Sequence, residues 1–200
     1  MLDVAGGLFS ERGFHDVTMD EVALGAGITK PMVYSYFGSK EGLFLACVER
    51  AEDGLLEEVE RAAAPDVPVE QRLWRGLVAV YAFVEQHSRE WELLYPAGPR
   101  SGGQFGGGAS RASERMATLM SRLLADTAVG EGVDPEVARR QTEPMAHALV
   151  AAVQGLASWW VRNPGEPKEL QAMRMMNLAW MGLANVVAGR LWVPPVGMVP

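Results

Sequence analysis

The sequence predicts an all-α protein, and three observations predict it. Apolar residues recur at intervals of three and four along one segment after another, with strand-like alternation nowhere. Glycine and proline punctuate the segments, at Gly13, Gly27, Pro65 and Pro68, Gly130 and Gly132, and Pro164. Side chains that accept from free helix N–H groups open several of them, at Thr18, Ser39 and Asp134. The segments group into an N-terminal three-helix unit, residues 1–46, and a larger helical body, residues 47–200.

A chain of 200 residues that is 48% hydrophobic has enough apolar surface for a core, which excludes a disordered class. No apolar run reaches the length of a membrane span, and no basic flank precedes an apolar signal core. The single cysteine, Cys47, has no partner for an internal disulfide and suits a reducing cytoplasm. The net charge of −7 argues at first against nucleic acid, so the charge has to be divided by region.

The first helix is predicted over 2–12, with Val4, Ala5, Leu8 and Phe9 on one stripe. Gly6 and Gly7 weaken it by about 1 kcal/mol each relative to alanine. Gly13 stops it, and Phe14 folds back on the stop. Thr18 and Glu21 form a capping-box pattern for the second helix, whose small face is Val22, Ala23 and Ala26. Gly27 ends that helix, because φ > 0 at a helix exit is cheap for glycine. Ile28 fills the corner. Thr29 is then expected to cap a third helix, with Pro31 in its first turn, where a missing N–H costs little. Val33 and Phe37 point inward, leaving Lys30, Met32, Ser35 and Tyr36 on outer or flanking surfaces.

Two short helices set at an angle by a glycine turn describe a helix-turn-helix, whose second helix enters the DNA major groove N-terminus first. No acid lies between Glu21 and Glu41, while Lys30 and Lys40 do. The candidate DNA-binding residues are Thr18, Thr29, Lys30, Pro31, Met32, Tyr34, Ser35, Tyr36 and Lys40. The hydroxyls and Lys40 suit phosphate oxygens, and Ser39 should cap the next helix and leave N–H groups for a second phosphate. Residues 1–46 nevertheless hold three cations against six acids, a net −3, which predicts modest non-specific affinity.

A long helix runs from Ser39 to about Ala64, apolar along Leu43, Cys47, Ala51, Leu55 and Val59, and acidic outside. It is the natural lever between reader and body. Helices follow from about Val69 to His87 and from Arg89 to Tyr95. Residues 96–108, with six glycines and two prolines, predict a mobile loop, as a ligand lid or a slack connector. Three more helices are expected, from Ser110 to Val129, over 134–162 and over 166–191. The last two are apolar around more than one stripe, so one side of each is expected to meet a second copy of the chain.

Met and aromatic residues crowd the body and suit an adaptable apolar pocket as well as a plain core. The candidate ligand-binding residues are Trp74, Tyr81, Trp91, Tyr95, Met116, Met120 and Met145, with His147 and Gln154, seven apart on one face, for a ligand's polar end. No HExxH, Cys/His metal spacing, nucleophile elbow or Walker sequence occurs, so no enzyme, metal or cofactor is expected.

Thr18, the run from Ala23 through Thr29, Tyr34, Tyr36-Phe37 and Ser39-Lys40-Glu41 resemble the DNA-binding domain of the TetR (tetracycline repressor) family, over about a quarter of the chain. Family members often carry glycine where this chain has Pro31, and a basic arm ahead of the first helix that is expected to be absent here. The resemblance implies a helical homodimer that binds a palindromic operator and is released by a small molecule, here a largely apolar one. It also implies that the last two helices pair across the dimer as a four-helix bundle. The rival reading is a helical small-molecule binder that never touches DNA. A DNA shift with the chain's own promoter region separates the two.

Overall fold

The computed structural model describes residues 1–64, 67–95, 106–188 and 190, apart from the side chains at 106–110, 181–183, 186 and 187. Nine α-helices and no strand occur among the described residues. Helix α1 (Leu2–Asp16) is longer than expected, because a short helical piece resumes beyond the break at Gly13, where φ is 78°. Phe14 folds back onto Phe9, ring centroids 6.0 Å apart, and Phe44 of α4 (Lys40–Ala62) closes on both rings edge-on. That aromatic trio fixes α1 against α4.

Helices α2 (Met19–Gly25) and α3 (Lys30–Phe37) form the corner, and α4 (Lys40–Ala62) leaves it for the body. Its N-cap Ser39 accepts from the Gly42 N–H at 3.0 Å. Leu43, Cys47, Val48, Ala51, Leu55, Leu56 and Val59 are buried, a stripe at helical spacing running from head to body. The body continues through α5 (Val69–Gln86), α6 (Ser88–Leu94), α7 (Gly106–Gly130), α8 (Pro135–Arg162) and α9 (Lys168–Val187). Helices α7 and α8 pack most extensively, α5 lies between α4 and α9, and α6 rests on α1. The last three residues of the expected glycine loop, 106–108, already belong to α7, while 96–105 lie outside the described residues.

Helix α8 continues through Pro144, which is exposed. A ring in mid-helix withholds one N–H, and solvent on that side lets the orphaned carbonyl find water. Asp134 caps α8 by accepting from the Glu136 and Val137 N–H groups. No helix among the described residues is long and apolar enough to cross a membrane.

Candidate nucleic-acid interface and ligand cavity

The reading head is assembled from local hydrogen bonds. Thr18 Oγ1 accepts from the Glu21 N–H at 3.3 Å, and Glu21 Oε2 accepts from the Thr18 N–H at 2.8 Å, a complete capping box. Arg12 adds a 2.8 Å ion pair to the other Glu21 oxygen. The Arg12 hydrogen bond, followed by those of Thr18, pulls the Glu21 carboxyl from its ordinary 4.5 down to about 2. At the exit of α2, Gly27 has φ 66°, the Ile28 N–H reaches the Ala23 carbonyl at 3.0 Å, and the Gly27 N–H reaches Leu24 at 3.1 Å. Those two bonds are a Schellman stop, which sets the angle at which α3 departs.

Thr29 stands at the N-cap of α3, yet its hydroxyl makes no capping bond, against expectation. The reason is chemical. Pro31 removes one of the two N–H groups a cap could bind, and the Met32 N–H is taken by Thr29's own carbonyl at 3.0 Å. Within α3 only Val33 is buried and Phe37 half-buried. Lys30, Pro31, Met32, Tyr34, Ser35 and Tyr36 are exposed, Tyr36 to 69%. Three large side chains stand in water on a helix of eight residues.

The cations expected to point outward all have partners within the head. Lys30 Nζ lies 2.8 Å from Asp20 Oδ2, and that hydrogen bond raises the pKa of the lysine. Lys40 Nζ donates to the His15 carbonyl at 3.1 Å and sits 4.6 Å from the centre of the Phe14 ring. The stretch without acids between Glu21 and Glu41 is therefore served across the fold by Asp20. Two acids of α1 are tied away from the head, Asp3 to Arg50 of α4 and Glu11 to Arg89 of α6 at 2.6 Å.

In the body, α4, α5, α6, α7 and α8 enclose a cavity of about 40 Å³. Trp91, Tyr95, Met116, Met120 and Gln154 of the sequence-derived ligand set line it. The other lining residues are Leu55, Val59, Gly76, Leu77, Val80, Leu149, Val150 and Val153. Sequence reasoning missed these eight, because they sit on the same apolar stripes as the ordinary core and carry no separate signal. A second cavity of about 170 Å³ shares Val59, Gly76 and Met120 and adds Glu60, Arg72 and Leu123. Gln154 Nε2 donates to Ser113 Oγ at 2.8 Å, and both bond the Tyr95 hydroxyl. Burial nevertheless raises the pKa of that hydroxyl.

Four of the ligand residues lie elsewhere. Tyr81 is fully buried, edge-on to Trp160 at 6.1 Å, and belongs to the core. Trp74 is half-buried outside the cavity lining. Met145 is 41% exposed on the outer side of α8. His147 is exposed too, 3.9 Å from Glu114, so it does not join Gln154 at the cavity. The two residues share a stripe of α8, but the cavity spans only one end of it. Among the described residues no group of three His, Cys, Asp or Glu could hold a metal ion.

The expected two-sided character of the last helices resolves into faces. On α8, Ala146, Leu149, Val153, Ala157 and Trp160 face inward, while Met145, Ala148, Ala151, Gly155 and Trp159 are exposed. On α9, Ala172 and Met175 are buried while Met173 and Leu178 are exposed.

Residues 1–47 match the family model described as bacterial regulatory proteins, tetR family, and residues 69–182 match that of the tetracyclin repressor-like C-terminal domain. The HTH-type transcriptional activator FasR of Mycolicibacterium smegmatis is 29% identical over 191 residues, covering 93% of this chain and 82% of that protein. The HTH-type transcriptional regulator EthR of Mycobacterium tuberculosis is 27% identical over 157 residues, 76% of this chain and 68% of its own. A crystal structure of a TetR-like transcriptional regulator from Rhodococcus sp. RHA1 superposes with a TM-score of 0.72 at 33% identity, over 92% of this chain and 93% of that one. With the capped head, the protruding α3 and two family models spanning head and body, the chain belongs to the TetR family of helix-turn-helix transcriptional regulators.

Proposed function

We propose that this regulator is a ligand-released repressor that binds a palindromic operator as a homodimer, each copy laying α3 in a major groove. The observation that carries the reading is α3 itself: one residue of eight is buried, and capped helices hold it on both sides. Its Met32, Tyr34 and Tyr36 are 43%, 42% and 69% exposed, large side chains with surface left for a partner. Lys30 and Met32 read base edges from the helix N-terminus. Thr18, Thr29, Tyr34, Ser35, Tyr36 and Lys40 bind phosphates, and Pro31 starts the helix. The reader is taken as residues 1–46 and the ligand-binding and dimerisation body as 47–200, with the boundary inside α4. Dimerisation uses the exposed faces of α8 and α9, and the protein works in the cytoplasm.

The effector is a small, largely apolar molecule in the cavity. Leu55 and Val59 of α4 line that cavity, and the same helix begins in the head at Lys40. A ligand that reseats Met116 and Met120 therefore presses on the lever and changes the spacing of the two heads. Control follows only if the ligand prefers one spacing. The Mycolicibacterium relative is named an activator, so the sign of control belongs to the test. Bound DNA is selected from a genomic pool and sequenced, and the recovered site is placed in a reporter. Recovery of a palindrome, with higher expression in a strain lacking the protein, supports the proposal. No enriched sequence would leave a ligand binder without a DNA role, and lower expression in that strain would make it an activator.

A further inference from the structure

One of the residues lining the cavity carries an unmet hydrogen-bond donor. Trp91 is only 2% exposed and lines the cavity, yet its indole Nε1 is buried with no acceptor among the described residues. A buried indole N–H normally finds a partner, and leaving one unpaired is costly. Its neighbour Tyr95, 4.4 Å away ring to ring, shows the contrast: its hydroxyl is engaged by Ser113 and Gln154. Apart from Trp91, Tyr95 and Gln154, the lining consists of glycine, aliphatic side chains and methionines.

Charge narrows the occupant further. Among the described residues, no ionisable side chain other than the Tyr95 phenol lines this cavity. Glu52, the carboxylate nearest in effect to Tyr95, is itself paired with Arg115, so it offers no free charge to a ligand ion. A buried ligand ion of either sign would find no opposite charge in that lining. The cavity is small as it stands, about 40 Å³, but Met116 and Met120 border it with unbranched side chains that can change rotamer.

We infer that the effector is an uncharged apolar molecule carrying a hydrogen-bond acceptor, such as a ketone, ester or amide carbonyl, and that Trp91 Nε1–H donates to it. This deepens the effector-cavity reading and rests on it. Trp91 is then a specificity-determining residue: hydrocarbon burial supplies the attraction, and the indole selects for the acceptor.

The test uses the full chain and three probes of matched length: 2-nonanone, 2-methyl-1-nonene, in which a methylene replaces the carbonyl oxygen, and nonanoate. Affinities are measured by titration calorimetry on the wild type and on Trp91→Phe, which keeps an aromatic ring and removes the donor. The ketone and alkene differ in hydration, so the informative quantity is how their affinity ratio changes between the two proteins. The ketone's advantage should fall about tenfold or more in the variant. A second readout needs no variant to fold: indole N–H resonances of the wild type, labelled with ¹⁵N. The Trp91 indole proton should move downfield with ketone and not with alkene.

Both neutral probes binding with an unchanged ratio and an unmoved Trp91 resonance would overturn the donor assignment while leaving the cavity intact. Nonanoate binding more tightly than the ketone would overturn the uncharged class. No binding of any probe to the wild type would remove the cavity reading and this inference together.

Discussion

The seam between α4 and α7 makes the sharpest stability prediction. Arg115 of α7 places Nη1 2.8 Å from Glu52 Oε1 and 2.8 Å from Asp53 Oδ1, both on α4. Glu52 is 2% exposed, whereas the arginine side chain is 52% exposed. Arg115→Met keeps much of the aliphatic stem but leaves a buried carboxylate without its cation. Breaking a fully buried pair costs roughly 3–5 kcal/mol. Solvent at the arginine discounts this to about 2 kcal/mol. For a chain of this length that is a fall in Tm of roughly 4–8 °C. The double variant Arg115→Met/Glu52→Leu should recover most of the loss, because a methyl-rich pair needs no counter-charge. The assay is thermal and urea unfolding followed by circular dichroism at fixed protein concentration, since dimer dissociation shifts Tm. A fall below 1 °C in Arg115→Met, or a double variant no better than the single, would mean that Glu52 is not held by this arginine.

Three further outcomes are expected. Lys40→Ala should weaken all operator sequences alike and flatten the plot of log affinity against log salt by about one unit, whereas Lys30→Ala should relax preference at a base pair by about tenfold; fluorescence anisotropy over a salt series and an operator set measures both. Glu21 should stabilise the head fully above its ordinary 4.5, and that contribution should disappear as pH falls toward about 2, because its folded pKa is depressed; the stability gap between wild type and Glu21→Gln should close over that window, and a gap independent of pH would contradict the assignment. Gly155→Glu should give a folded monomer that no longer binds operator, since an added Cβ there meets nothing within 4 Å in the chain yet places a charge at the proposed seam; sedimentation reads the mass, and a persistent dimer would move the interface elsewhere.

What was legible in the sequence was largely local. Thr18 with Glu21, Gly27, and Ser39 each act within five residues, and each does in the structure what its chemistry dictates. Thr29 is the local exception, and the cause lies two residues away in Pro31. Events across the fold were not legible. Lys30 meets Asp20 ten residues back and Lys40 meets His15 twenty-five back, so reading exposure from a helical wheel could not reveal either partner. The cavity failed for a different reason. Periodicity shows that Tyr81 and Trp91 turn inward, but not that one meets Trp160 and the other an empty volume. Met145 is apolar at helical spacing, but that it lies on the outer side of α8 shows only once α7 is in place.

The internal pairing of the head has a consequence for search kinetics. A regulator slides along the chromosome by exchanging counterions with successive phosphates, and each unengaged cation lengthens its stay at the wrong sequence. Here Arg12 and Lys30 are each paired with a carboxylate of their own head, which is itself net negative, and Lys40 alone of the three rests on neutral groups. Dwell on random DNA should be brief, and searching should proceed by hopping through solution more than by sliding. A population not stored on bulk chromosome stays exposed to changing effector concentration, so the fraction of sites occupied follows the effector with little delay.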